Sequence, residues 1–83
     1  MKLVYFAWVR QHIGTAEEDL SPPAEVATVE QLLDWLEGQS EGHAKALADR
    51  KVIRVAVNQD FAAPDHPVGP NDEIALFPPV TGG

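Results

Sequence analysis

Thr28-Val29-Glu30-Gln31 constrains the fold of this 83-residue chain more than any other segment. A Thr hydroxyl at a helix N-cap accepts the amide three residues on, and a Gln there reaches back to the cap, so these residues spell a capping box with a helix starting at Val29. Val29, Leu32, Leu33 and Leu36 then recur at i, i+3, i+4 and i+7, and Gly38 offers a stop. That spacing makes one apolar stripe, which must be buried against another element. Trp35 lies beside the stripe and is expected in the core.

The flanking segments read mainly as strands. Lys2 to Val9 is rich in aromatic and β-branched residues, with Leu3, Tyr5, Ala7 and Val9 on one side and Val4, Phe6 and Trp8 on the other. Two apolar faces predict a central first strand. Arg10 to Ile13 makes one helical turn, stopped by Gly14 in the left-handed conformation. Thr15 to Pro23 is an acidic loop ending in a double proline, before a short edge strand near Ala24 to Ala27. After the main helix, Glu41 to Ala48 forms a second helical stretch with Ala44 and Leu47 as its apolar contacts; Arg50 and Lys51 suit its C-terminal end.

Val52 to Val57 alternates as a strand with Ile53, Val55 and Val57 on its buried side. Asp60 to Gly69 is mostly loop, with a short bridge at Phe61 to Ala62. Gly69-Pro70-Asn71-Asp72 is a turn in which Asn71 is best able to take a positive φ. Glu73 to Phe77 is the last strand, and Pro78-Pro79 ends its pairing because neither residue has an amide hydrogen. This order predicts an α+β chain, a β-grasp in which a mixed sheet packs on one main helix. Residues 1–77 form the domain and 78–83 an extended tail ending in Gly82 and Gly83.

Composition narrows the chemistry. No cysteine is present, which excludes a disulfide framework, a thiolate metal site and a cysteine nucleophile. Thirteen acidic against six basic residues give a net charge of −7, which opposes nucleic-acid binding and suits a basic protein partner or simple solubility. Leu3 to Val9 is far shorter than the ~20 apolar residues that span a bilayer. No small-residue cleavage site follows it, so a cytoplasmic, non-membrane protein is expected. His12, His43 and His66 have no ligand spacing and are expected on the surface, with no metal site. Glu17-Glu18-Asp19 falls in a loop and Asp72-Glu73 point apart, so neither reads as a catalytic pair. With no phosphate loop or serine triad, the chain itself has no visible catalytic apparatus.

Two features point outward. Trp8 and Phe77 are expected on a sheet face that no second layer in so short a chain covers, which makes them candidates for a docking surface. Gly82 and Gly83 carry no Cβ, so the end of the chain can pass where side chains would clash. From Pro78 to Gly83 an extended tail reaches on the order of 20 Å at about 3.3 Å per residue, and its two prolines reduce the entropy lost on docking.

The run Asp72-Glu73-Ile74-Ala75-Leu76-Phe77-Pro78-Pro79-Val80-Thr81-Gly82-Gly83 resembles the C-terminal signature of the molybdopterin synthase small-subunit family, ubiquitin-like sulfur carriers. Similarity extends to Phe6-Ala7-Trp8-Val9-Arg10 with Gly14, to Thr28-Val29 with Leu32 and Leu33, and to Ala56-Val57-Asn58-Gln59. Asn71 departs from the glycine that the family usually has before the Asp-Glu pair, and Asn can make the same turn.

The resemblance implies that the Gly83 carboxylate is adenylated by a ubiquitin-activating-like enzyme using ATP and magnesium. A sulfurtransferase system then supplies sulfur to give a thiocarboxylate, with no cofactor bound to the carrier. It implies docking into the molybdopterin synthase large subunit, in a heterotetramer, and sulfur delivery to cyclic pyranopterin monophosphate. Gly82 would keep the approach thin, while Phe77, Pro78, Pro79, Val80 and Thr81 would line the partner groove. Two alternatives share the fold and the glycines: a sulfur carrier for thiazole synthesis and a ubiquitin-like protein modifier. A plain β-grasp interaction module is a third reading.

Overall fold

The computed structural model describes residues 1–79; the readings made for Val80, Thr81, Gly82 and Gly83 lie outside them. Its strands are β1 (Lys2–Tyr5), β2 (Glu17–Asp19), β3 (Arg54–Val57), β4 (Asp60–Phe61) and β5 (Glu73–Phe77). Its helices are α1 (Ala7–Ile13), α2 (Val29–Glu37) and α3 (Glu41–Ala46), with a 3-10 turn at Arg50–Val52. The sheet order is β2-β1-β5-β3-β4, with β5 central, parallel to β1 and antiparallel to β3. Leu3 lies opposite Ile74, Tyr5 opposite Leu76, Leu76 opposite Val55 and Ile74 opposite Val57. Period-2 alternation places all six on one face, where they are buried.

The α2 stripe joins that face in one core with Val29, Leu32, Leu33 and Leu36 buried. Full burial of a leucine such as Leu32 or Leu36 contributes about 1.5–3 kcal/mol. The Thr28 hydroxyl accepts the Gln31 amide at 3.3 Å, as the capping box requires. The Gln31 side chain accepts the Ala27 amide at 2.8 Å, one residue earlier than the box predicts. The Val29 and Glu30 amides, which no helical carbonyl can satisfy, donate to the His66 and Pro64 carbonyls, each at 2.9 Å. The loop after β4 is thereby fastened to the start of α2. Trp35 is half-buried and packs against the core.

Sheet pairing corrects the expected first strand, which stops at Tyr5. β1 runs alongside β5, and the Phe6 amide still reaches the Leu76 carbonyl at 3.1 Å. Beyond Phe77 the parallel neighbour becomes Pro78-Pro79, so a longer β1 has no regular partner. The chain turns at Ala7, whose φ of 52° is unusual for a residue with a Cβ, and enters α1. Val9 is then fully buried from a helix, and Gly14 closes α1 in the expected left-handed conformation with φ 96°.

The second strand also shifts, to Glu17–Asp19, the segment read as an acidic loop. Glu17 meets Lys2 at 3.7 Å across the β1–β2 pair, while Glu18 turns toward the core side. Ala24 to Ala27 belongs to a turn closed by the Val26 amide on the Pro23 carbonyl at 2.9 Å, and its pairing is one bridge, Thr28 to Pro67, with the Val68 amide on the Ala27 carbonyl at 2.9 Å. In α3 the buried contacts are His43 and Ala46, followed by Leu47, whereas Ala44 is exposed. Val52 falls in the 3-10 turn, so the strand expected from Val52 begins at Arg54.

His43 is 6% exposed rather than on the surface. Its Nε2 lies 2.8 Å from Glu18 Oε2, its Nδ1 lies 2.7 Å from Ser40 Oγ, and the Tyr5 hydroxyl donates to the same Glu18 oxygen at 2.7 Å. Burial, then the hydrogen bond to Glu18 and its charge, push the Tyr5 hydroxyl above its ordinary value and keep it a donor. This network fastens β2 and α3 to the inner side of β1. No buried side-chain polar atom lacks a partner among the described residues. His12 is exposed, and His66 is half-buried with Nδ1 2.8 Å from the Pro67 carbonyl.

The expected turn before β5 is present, with the Asp72 amide on the Gly69 carbonyl at 3.2 Å, but Asn71 has no positive φ. Asn58 and Gln59 take that conformation instead, at 51° and 74°, and connect β3 to β4 as a two-residue hairpin turn of the type whose central residues both need φ above zero. Asn58 Nδ2 donates to Asp72 Oδ1 at 2.9 Å, its Oδ1 accepts the Glu73 amide at 3.0 Å, and the Gly69 amide donates to Asp72 Oδ2 at 2.7 Å. The Asn58 hydrogen bond, then the Gly69 amide, hold the Asp72 carboxyl below its ordinary range. A depressed folded value means that the stabilisation is complete above the unfolded pKa of about 3.9 and is lost as pH falls through the folded value. Urea midpoints between about pH 5 and pH 2 should therefore fall more steeply for the parent than for Asp72→Ala. Parallel curves would show that the network contributes nothing.

Candidate functional site

β5 is paired with β1 as far as Leu76, opposite Tyr5, and with β3 to its last residue, Phe77, opposite Arg54. A segment leaving such a strand starts from a fixed point rather than from a frayed edge. Pro78 and Pro79 follow, both half-buried and outside the strand. Lacking amide hydrogens, they stop the ladder at Phe77 and release the chain from the middle of the sheet.

The sheet face opposite the helices carries Val4, Ala56, Ala75 and Phe77 by alternation. Phe61 lies on the same face, being paired with Ala56; it is 81% exposed, and its ring centroid is 5.9 Å from that of Phe77 at an interplanar angle of 51°. Phe6 is extended, follows the parity of Val4 and is 50% exposed. Three phenylalanines thus stand on the uncovered face around the root of the tail. Exposed aromatic surface of this kind marks an interaction site.

Of the residues expected at a docking surface, the structure keeps Phe77 on the open face and places Pro78 and Pro79 at its edge. Trp8 is not brought to that face by strand alternation. It lies on α1, half-buried against the core and edge-on to His12, with ring centroids 5.9 Å apart. Sequence reasoning missed Phe6 and Phe61 as surface aromatics. Their signal was present: Phe6 shares the parity of Val4, and Phe61 follows a hairpin turn that leaves β4 only two residues. No group of three or more His, Cys, Asp and Glu that could hold a metal occurs among the described residues, and no helix there is long and apolar enough to cross a membrane.

The comparisons agree with this geometry. The molybdopterin synthase sulfur carrier subunit of Escherichia coli K12 is 43% identical over 83 residues, covering 100% of this chain and 99% of that protein. The protein of the same name from Haemophilus influenzae is 36% identical, covering 100% and 99%. The crystal structure of SAMP1 from Haloferax volcanii superposes with a TM-score of 0.76 at 33% identity, covering 100% of this chain and 98% of that one. These likenesses identify the mixed sheet and its helices as a ubiquitin-like β-grasp. Residues 3–83 match the ThiS family, from the core strand β1 through the tail, and the chain belongs to that family.

Proposed function

We propose that this chain is a sulfur carrier for molybdopterin synthesis, working through the carboxylate of Gly83. The observation that supports this most is the release of Phe77-Pro78-Pro79 from the central strand, beside an open aromatic face and ahead of Val80-Thr81-Gly82-Gly83. Relatives carrying the name molybdopterin synthase sulfur carrier subunit match along the whole chain. The absence of any thiol fits a carrier whose sulfur rides on an acyl carbon.

In this reading a ubiquitin-activating-like enzyme directs the Gly83 carboxylate oxygen onto the α-phosphorus of ATP, with magnesium, forming an acyl adenylate and releasing pyrophosphate. Sulfur supplied through a sulfurtransferase and brought to the sulfide level by a thiol reductant then attacks the acyl carbon, expels AMP and leaves a thiocarboxylate. Activation is needed because an unassisted carboxylate is a poor acyl donor. The tail enters the large subunit of molybdopterin synthase and delivers sulfur to cyclic pyranopterin monophosphate. Phe6, Phe61 and Phe77 seat the domain, while Gly82 keeps the approach thin. Val80 and Thr81 line the groove.

Thiocarboxylated chain mixed with a molybdopterin synthase large subunit and cyclic pyranopterin monophosphate should yield molybdopterin. Recovery of thiazole synthase in place of that large subunit from a pull-down would redirect the reading to thiazole synthesis. The aromatic face has its own expected result. Phe61→Ser removes a largely exposed ring and should leave the fold intact while weakening large-subunit binding by about 2 kcal/mol, some thirtyfold in Kd. Isothermal titration calorimetry reads this directly, and unchanged affinity would remove Phe61 from the interface.

A further inference from the structure

A trough of about 570 Å³ lies between the first turns of α2 and the beginning of β3, beside the chain that follows β4. Val29 and Leu33 line it from the helix, Val55 from β3 with Ile53 just before that strand, and Ala62 and Pro64 from the loop. It therefore has an apolar floor on three elements.

Its charge runs against that of the rest of the chain. Arg50, Lys51 and Arg54 all line the trough, three of the six basic residues in a chain of net charge −7. Arg50 is committed to Asp34 at 2.9 Å and Glu37 at 2.8 Å. Lys51 and Arg54 meet no carboxylate in an ion pair among the described residues; Arg54 Nη1 donates only to the Lys51 and Ile53 carbonyls, at 2.9 and 3.3 Å. Glu30 is the single acid in the lining and sits on the α2 wall, across from these cations.

At the wall bearing these cations, β4 leaves only the first residue of β3 uncovered. β4 pairs only with Ala56 and Val57, and the last bond beyond it runs from the Ala62 amide to the Val55 carbonyl at 3.0 Å. Arg54 is paired with Phe77 of β5 on one side, and among the described residues no strand pairs it on the other. The uncovered stretch is one residue long and offers no run of free amides and carbonyls, so recognition here falls to side chains, with apolar groups on the floor and charge at the rim.

We propose that this trough binds an extended acidic segment of a protein partner, with apolar side chains on the floor and carboxylates at Lys51 and Arg54. The partner is the one that receives the tail, so the inference rests on the carrier reading. Arg54 lies opposite Phe77 at the tail root, and Phe61 lines the trough as well as packing on Phe77. A protein that holds the tail therefore reaches the trough without a gap. A small anion alone would use the cations and leave the apolar floor empty.

The test has two arms. In the first, the full ¹⁵N-labelled chain is titrated with acetyl-Asp-Ile-Asp-Val-Asp-Leu-amide, its lysine counterpart acetyl-Lys-Ile-Lys-Val-Lys-Leu-amide, and inorganic phosphate. Amide shifts at Val29, Leu33, Lys51, Ile53 and Val55 are expected with the acidic peptide only. Combining Lys51→Glu and Arg54→Glu should weaken that binding by at least about tenfold while leaving the spectrum dispersed, and added salt should weaken it too. No shifts at millimolar peptide, equal shifts with the lysine peptide, or the same shifts with phosphate would overturn the proposal.

In the second arm, the doubly substituted chain should form thiocarboxylate normally but bind the large subunit at least about tenfold more weakly. Unchanged affinity for the large subunit would overturn the proposal and leave the carrier reading standing. Failure of the parent chain to form a thiocarboxylate would instead remove the carrier reading on which the partner assignment depends.

Discussion

A chain lacking Gly83 is expected to keep the fold and stability of the parent and to deliver no measurable sulfur to molybdopterin synthase. Among the described residues the core lies within residues 3–76, and neither Pro78 nor Pro79 belongs to it. Removing one terminal residue therefore costs the domain nothing. It retracts the reactive carbon by about 3.3–3.6 Å, where a misplacement of about 1 Å can already cost 10²-fold in rate. Adding one residue beyond Gly83 moves the carboxylate as far in the other direction and replaces the acyl group that is activated. Both variants should show the parental unfolding curve and a loss of sulfur transfer greater than about 10²-fold. Transfer by the truncated chain near the parental rate would mean that the sulfur is not carried at the terminus.

The largest effect on the fold is expected at Gly42, where α3 crosses α1. A Cβ on Gly42 would overlap the His12 carbonyl oxygen and lie 3.2 Å from both the His12 carbonyl carbon and the Ile13 Cα. All three are backbone atoms, so no side-chain rotation relieves the contact and one helix must move. That movement is opposed by the buried Val9 on α1 and by His43, the next residue on α3, which is tied to Glu18 and Ser40. Gly42→Ala should destabilise by about 1–3 kcal/mol, the range for overpacking. In a domain whose total stability is of order 4–12 kcal/mol that is a large share, and thermal unfolding should fall by roughly 4–8 °C for each kcal/mol. An unchanged midpoint would show that α1 and α3 are not packed at this distance.

The parts of the fold legible in the sequence are those whose signals are local. The Thr28 cap, the stripe from Val29 to Leu36, the Gly14 stop and the alternation of Glu73 to Phe77 all lie within a few residues of what they determine. Elements that depend on distant partners were hidden. Lys2 to Val9 has strand-forming residues throughout, but where β1 stops is set by the prolines that end its neighbour β5 more than seventy residues later. The acidic run Glu17-Glu18-Asp19 looks like solvated loop until Lys2 faces Glu17 and the buried His43 and Tyr5 face Glu18. His43 has no spacing that announces burial, because its partner Glu18 is 25 positions away.

The site divides in the same way. Phe77, the two prolines and the two glycines are contiguous, so the tail could be read directly from the sequence. The aromatic face could not, because Phe6, Phe61 and Phe77 come to one face only when β1, β5, β3 and β4 are laid side by side, and of these Phe61 and Phe77 pack together. Trp8 would share that face only if β1 continued past Tyr5, and the helix that follows carries it elsewhere. The trough beside β3 is a further product of topology, since its cations are adjacent in sequence but its floor comes from α2, β3 and the loop after β4.

The central claim is that the Gly83 carboxylate carries the sulfur. Intact-mass and C-terminal peptide analysis, after incubation with the activating enzyme, ATP, magnesium and a sulfur donor, tests it directly. One oxygen should be exchanged for one sulfur, located at Gly83 and absent when ATP is omitted. An unchanged terminus, under conditions in which the same enzyme thiocarboxylates another carrier, would contradict it.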